Sequence, residues 1–134
     1  MIFVDTGAFL AKYLERDQYH REAARIWDKL QKNQIRCLTS NFVLDETFTF
    51  LARRSGNLFA AERARRIFSS TSITILRPTP EDEYEAIELF EKYADQEVSL
   101  TDCVSFALMR KHHLKEVFTF DKHFEIAGFQ ISGN

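Results

Sequence analysis

Four acidic residues sit where ordinary solvated charges do not, and the chemistry they suggest is that of a hard-cation site. Asp5 directly follows the apolar run Ile2-Phe3-Val4, and Asp121 follows Val117-Phe118-Thr119-Phe120 in the same way. In open α/β sheets ligands bind at the carboxyl ends of the strands, so these are positions where site residues belong. Each of the two also fits an ordinary turn or helix-capping aspartate. Glu46 has Phe42, Val43, Thr49 and Phe50 as its helical neighbours three and four residues away, with no cation among them. A step of about 100° per residue puts Glu46 between Phe42 and Phe50 on an apolar arc, with Asp45 off it. A buried carboxylate without a partner is costly, so on this reading Glu46 must be protonated, paired or metal-bound. Asp102 opens the apolar stretch Cys103–Met109, and Ser99-Leu100-Thr101-Asp102 reads equally well as a capping box. Together the four supply the hard oxygen donors that Mg²⁺ or Mn²⁺ requires.

These acids need a scaffold that brings them to one edge. Strands are predicted at 2–4, 36–39, 72–76 and 117–120, with a fifth around 129–131. Helices are predicted at 8–15 and 18–32, the second keeping Ala23, Ala24, Ile26, Trp27 and Leu30 at helical spacing. Ser40 or Asn41 caps a third helix reaching Arg54, with Gly56 just past its end, and Asn57 caps a fourth. Thr79-Pro80-Glu81-Asp82 starts a helix that runs to Tyr93, and Ser99 or Thr101 opens another to His113. Strands alternating with helices imply a parallel sheet. The expected fold class is α/β: a three-layer sandwich with a short, mainly parallel central sheet flanked by helices, forming a single domain over 1–134.

Composition narrows the function classes. With 134 residues, 45% hydrophobic and 28% charged, the chain is sized for one folded domain and is not disordered. Thirteen phenylalanines will dominate its core. No apolar run is long enough to span a membrane, and the N-terminus lacks the basic start expected of a signal peptide. Cys37 and Cys103 stand far apart without a CxxC, so neither a disulfide framework nor a zinc knuckle follows, and a cytoplasmic location is expected. The net charge is −2, from 18 basic and 20 acidic residues. Binding nucleic acid would therefore require a local basic patch or a bound cation. Arg53, Arg54, Arg63, Arg65 and Arg66 form one such cluster, which reads first as a solvated helix face and second as a surface for an anionic partner.

The spacing of these pieces resembles the PIN domain, and most closely the VapC-type ribonuclease toxins of toxin–antitoxin pairs. The matching segments are VDTGAFLA at 4–11, SNFVLDETFTFL at 40–51, SLTDCVSFALM at 99–109 and VFTFDKHF at 117–124, in family order. The resemblance assigns the four family acids to Asp5, Glu46, Asp102 and Asp121, with Thr6, Thr101 and Thr119 as supporting hydroxyls. Gly7 departs from the family, which commonly has a small polar residue there. The resemblance implies a metal-dependent endoribonuclease, in which Mg²⁺ or Mn²⁺ held by the four acids activates a water for attack on a phosphodiester. It further implies an RNA substrate, a cognate antitoxin and a homodimer; the arginine cluster is the candidate contact for RNA or antitoxin, and without an apolar span no membrane is expected.

Other readings are weaker. VDTGA also resembles an aspartic-protease motif, but that fold is all-β and glycine-rich, whereas this chain is helical with four glycines. A phosphatase with an aspartyl nucleophile would want an acid two residues after Asp5, where Gly7 stands. A non-catalytic PIN-like RNA- or protein-binding module is the better rival, and acids at all four positions argue against it. His112 and His113 read as helix-terminal residues, Cys103 as core, and His123 as either a surface turn or a neighbour of Asp121.

Overall fold

Ile2-Phe3-Val4 is buried throughout and forms β1 (Ile2–Val4), the central strand of a five-stranded sheet. Such an uninterrupted apolar run is what a strand covered on both faces needs. The structure is a computed structural model, and it describes residues 1–132. The other strands are β2 (Cys37–Ser40), β3 (Ile73–Leu76), β4 (Glu116–Phe118) and β5 (Gln130–Ile131). Their order is β3-β2-β1-β4-β5, and every pairing is parallel, so the mainly parallel sheet expected is wholly parallel among the described strands.

The chain moves outward from β1 to β2 and β3, then returns across the sheet to β4. Strand order therefore reverses between β1 and β4, and a crevice opens beyond their carboxyl ends. The register Val4↔Phe118 brings Asp5 level with Thr119, one residue further on. The fourth strand, expected to reach Phe120, stops at Phe118. The reason is local: the backbone N–H of Asp121 donates to the Thr119 hydroxyl at 3.0 Å instead of to a neighbouring strand.

Seven helices make the crossovers among the described residues: α1 (Thr6–Tyr13), α2 (His20–Lys32), α3 (Asn41–Ser55), α4 (Asn57–Phe68), α5 (Pro80–Lys92), α6 (Leu100–Lys111) and α7 (His123–Ile126). Helix α1 starts at Thr6 rather than residue 8. Helix α2 starts at His20 rather than Gln18, because Asp17 Oδ1 accepts the Tyr19 N–H at 2.8 Å and holds a turn there. Of the two candidate caps for α3, Ser40 serves, accepting the Val43 N–H. Asn57 does not cap α4. It is the first helical residue, and Gly56, at φ 91°, both ends α3 and precedes α4 without a side-chain bond. A side chain at that positive φ would be strained, so the tight α3–α4 joint depends on glycine.

Helix α6 is set by two devices. Ser99, not Thr101, caps it, in a reciprocal box with Asp102. Its far end is tied to α5, where Lys111 Nζ lies 3.0 Å from Asp82 Oδ2 and Asp82 closes its own capping box with Thr79. The core is aromatic, as the phenylalanine count suggested. Phe3, Phe9, Phe106, Phe118 and Phe124 are fully buried, with Trp27 packed 5.1 Å from Phe118 and Phe106 edge-on to Phe124 at 5.0 Å.

Candidate active site

Asp5 leaves the carboxyl end of β1 and stands at the cap position of α1, yet its side chain makes no capping bond. It is only 5% exposed. Its Oδ2 accepts the Thr119 hydroxyl at 2.8 Å, and its Oδ1 is buried with no hydrogen-bond partner. A buried polar atom without a partner calls for an explanation, and the capacity to bind a cation is one. Burial, and then the negative charge of Asp102, push the Asp5 carboxyl up to about 7, against the opposing pull of the Thr119 hydroxyl.

Asp102 forms the capping box that its sequence allowed, and it is buried near other acids. Its Oδ2 accepts the Ser99 N–H at 3.0 Å, and its own N–H donates to Ser99 Oγ at 3.0 Å, which is the capping box. The same carboxylate is 8% exposed and repels its acidic neighbours. Burial raises its pKa, the bond from the Ser99 N–H opposes this, and the charges of Asp121 and Glu46 raise it further. The electrostatics of Asp5, Glu46, Asp102 and Asp121 are therefore coupled.

Glu46 sits on the second turn of α3 and is half-buried, not buried as the helical arc suggested. The buried face of α3 is Val43, Leu44, Thr47 and Leu51, and Phe50 is 40% exposed. Glu46 thus lies at the margin of the core, where its head reaches the cleft and its Oε1 accepts the Thr6 hydroxyl at 2.7 Å. Asp45 is exposed and off this face, as expected.

Asp121 closes the group from β4. Its Oδ1 accepts the His123 backbone N–H at 2.9 Å and lies 2.6 Å from His123 Nδ1. The histidine is the site neighbour that sequence reasoning left undecided; its signal was the two-residue spacing from Asp121. Two of the three supporting hydroxyls reach acids, Thr6 to Glu46 and Thr119 to Asp5. Thr101 is half-buried, and among the described residues no hydrogen bond joins its hydroxyl to any of the four acids.

The arginines are not brought to the acids. Arg54, Arg63 and Arg66 line a groove of about 1450 Å³ with Lys12, Arg16 and Arg36, at the opposite end of the strands, with Glu15 and Asp17 as its acids. Arg63 stacks on Phe59 at 4.3 Å and lies 3.3 Å from Glu62, which also pairs with Arg66 at 2.8 Å. Arg53 lines a second, smaller pocket with Asp45, and Arg65 is exposed on α4.

Residues 2–130 match the profile of the PIN domain. The chain belongs to the PIN domain family. It is 39% identical over 129 residues to the 23S rRNA-specific endonuclease VapC20 of Mycobacterium tuberculosis, covering 96% of this chain and 95% of the relative. The crystal structure of M. tuberculosis VapC20, described as a sarcin–ricin loop cleaving toxin, aligns with a TM-score of 0.88 at 36% identity over 97% of each chain. FitAcB from Neisseria gonorrhoeae aligns at TM-score 0.67 and 20% identity, covering 98% of this chain and 96% of that one. A toxin–antitoxin complex from Klebsiella pneumoniae aligns at 0.61 and 16%, covering 91% and 88%. These last two share the fold.

In this PIN domain the donor set fits a hard divalent cation. The orphaned Oδ1 belongs to Asp5, whose carboxyl is pushed up by burial and by the charges of Asp102 and Glu46. Among the described residues no three His, Cys, Asp or Glu side chains converge closely enough to enclose an ion alone.

Proposed function

We propose that this chain is a metal-dependent endoribonuclease, acting as the toxin of a toxin–antitoxin pair, with residues 1–134 as one nuclease domain. The observation that carries the reading is Asp5: a buried carboxylate with one oxygen fixed by Thr119, the other without a partner, and the charge of Asp102 near enough to repel it. Its family and the 39% identity to a 23S rRNA-specific endonuclease support RNA as the substrate.

Asp5, Glu46, Asp102 and Asp121 would hold Mg²⁺ or Mn²⁺. Bound there, the ion would supply Lewis-acid polarisation of the phosphate and lower the pKa of a water. The protein's own groups do the positioning. Thr119 spends its one proton on Asp5 Oδ2 and so leaves Oδ1 as the free donor atom. Thr6 fixes Glu46 Oε1, and the Ser99 N–H fixes one oxygen of Asp102. His123 holds Asp121 from its outer side. Preorganised ligands of this kind need not be ordered at the moment of reaction.

The proposed partners follow from the same reading. The basic groove through Arg54, Arg63 and Arg66, with the exposed Arg53 and Arg65 nearby, offers a surface for RNA or for a cognate antitoxin. Exposed Tyr84, Ile87 and Phe90 on α5 offer a face for a homodimer. Among the described residues no helix is long and apolar enough to cross a membrane, and we place the protein with RNA in the cytoplasm.

The test is incubation with an RNA hairpin carrying the sarcin–ricin loop. Cleavage that needs Mg²⁺ or Mn²⁺, stops in EDTA and returns when metal is restored supports the reading. RNA left intact with either metal, in a protein that still binds it, would favour the non-catalytic binding module.

A further inference from the structure

We propose that Tyr19 and Phe120 form a stacking shelf at the rim of the acidic cleft, on which an unpaired RNA base lies beside the phosphate to be cut. The inference rests on the endoribonuclease reading and gives it a substrate feature: the base flanking the cut must be free of its own helix.

The placement comes first. Phe120 lies between Thr119, whose hydroxyl bonds Asp5, and Asp121, so its backbone is part of the site. Its ring lies against the start of α1: a Cβ built on Gly7 would stand 4.0 Å from Phe120 Cδ2 and 4.0 Å from its backbone nitrogen. Tyr19 covers Phe120 in a parallel stack, with ring centroids 4.4 Å apart and planes within 2°. That is the arrangement of successive stacked bases, and a third flat ring extends it without rearrangement.

The shelf is rigid. Phe120 meets Phe118 edge-on at 6.0 Å, and fully buried Phe118 packs 5.1 Å from Trp27. Tyr19 is fixed by its backbone, since its N–H donates to Asp17 Oδ1 at 2.8 Å and its carbonyl accepts the Ala23 N–H at 2.8 Å. Next to it His20 Nδ1 contacts the Ala11 carbonyl oxygen at 2.7 Å. Yet Tyr19 remains 37% exposed, so this ordered ring still offers surface to a ligand. Among the described residues no side-chain hydrogen bond engages its hydroxyl.

The chemistry selects the occupant. Every base has a π face, so an aromatic shelf reads the unpaired state and not the sequence, and it favours purines by their area. A base inside a duplex is already stacked and cannot reach it. Selection for loops or single strands would then come from this shelf, while the acids act on a phosphate that is the same in every RNA.

The test uses the full chain and a single-stranded RNA oligonucleotide of mixed sequence, with a self-paired duplex as control. Binding is measured in an Asp5→Asn background, and kcat and KM are measured in the wild-type background. Tyr19→Leu should weaken binding of the single strand about tenfold and raise KM by a similar factor with kcat unchanged. Tyr19→Phe and Tyr19→Trp should bind as before, and the weak binding of duplex should not move. In a second measurement, an abasic residue is scanned along the oligonucleotide. One position should cost about tenfold in affinity, and that cost should vanish in Tyr19→Leu. Equal binding by Tyr19→Leu, a loss in Tyr19→Phe as large as in Tyr19→Leu, or no sensitive abasic position would overturn the shelf. RNA that is bound but never cut defeats the nuclease reading and leaves the shelf to the binding data. RNA that is cut equally well by Tyr19→Leu defeats the shelf alone.

Discussion

The Thr119 hydroxyl donates to Asp5 Oδ2 at 2.8 Å and accepts from the Asp121 backbone N–H at 3.0 Å, across a sequence separation of 114 residues from Asp5. A threonine hydroxyl has one proton, so a single side chain ties the first acid to the backbone of the fourth and has nothing left for Asp5 Oδ1. The join between β1 and β4, the orientation of Asp5 and the free oxygen are one arrangement.

Thr119→Val keeps the shape of the side chain and removes that arrangement. It leaves a buried acceptor unpaired, at a cost of about 1–3 kcal/mol, and frees the Asp5 carboxyl to rotate. Urea unfolding should record the loss of stability, and RNA cleavage should fall about 10- to 100-fold, as for other groups that orient metal ligands. Thr119→Ser should restore most of both. A wild-type rate in Thr119→Val would show that Asp5 needs no such support.

Two adjacent acids on α3 separate site from surface. Glu46→Gln keeps an acceptor for Thr6 but loses the charge in the cleft, and cleavage should drop at least about 100-fold. Asp45→Asn alters an exposed residue and should change the rate less than about twofold. Circular dichroism should be the same for both variants and wild type. The reverse pattern of rates would mean that the wrong acid has been placed in the site.

Much of this was legible before any coordinates, and the failures have physical causes. Asp5 was readable because an acid immediately after three buried apolar residues stands at a strand end. Asp102 was readable as a cap, and it is one: its capping box occupies one carboxylate oxygen and leaves the proposed site role to the other. Glu46 is half-buried rather than buried because helical periodicity gives the angle between residues but not which arc faces the core. Val43, Leu44, Thr47 and Leu51 took that face and left Phe42 and Phe50 at its edge. The two hydrogen bonds of the Thr119 hydroxyl and the Tyr19–Phe120 stack bring together segments that no local pattern joins. The arginine cluster was one patch in sequence, but Gly56 folds its two parts onto different helices.

Metal-free stability should depend on pH in the direction opposite to that of paired surface acids. The folded state holds the Asp5 proton up to about 7, whereas the unfolded carboxyl releases it near 3.8. The favourable contribution is fully present below 3.8 and is lost as pH rises through about 7. In EDTA, stability should therefore increase as pH is lowered from 8 toward 5, by at most about 1.4 kcal/mol per pH unit from this group. Asp102, raised in the same direction, adds to the slope. Saturating Mg²⁺ should flatten the profile, and a metal-free profile that falls steadily toward pH 5 would contradict this.

The most direct measurement is the melting temperature of wild type and Asp5→Asn, each in EDTA and with Mg²⁺ titrated in at neutral pH. The amide removes a charge that its acidic neighbours repel, so Asp5→Asn should melt higher than wild type in EDTA. Wild type should gain on adding Mg²⁺, by about 2.7 kcal/mol at a hundred times its dissociation constant, and Asp5→Asn should gain far less. If Asp5→Asn instead melts lower in EDTA and responds to Mg²⁺ as wild type does, Asp5 is a structural residue and the metal site at the end of β1 does not exist.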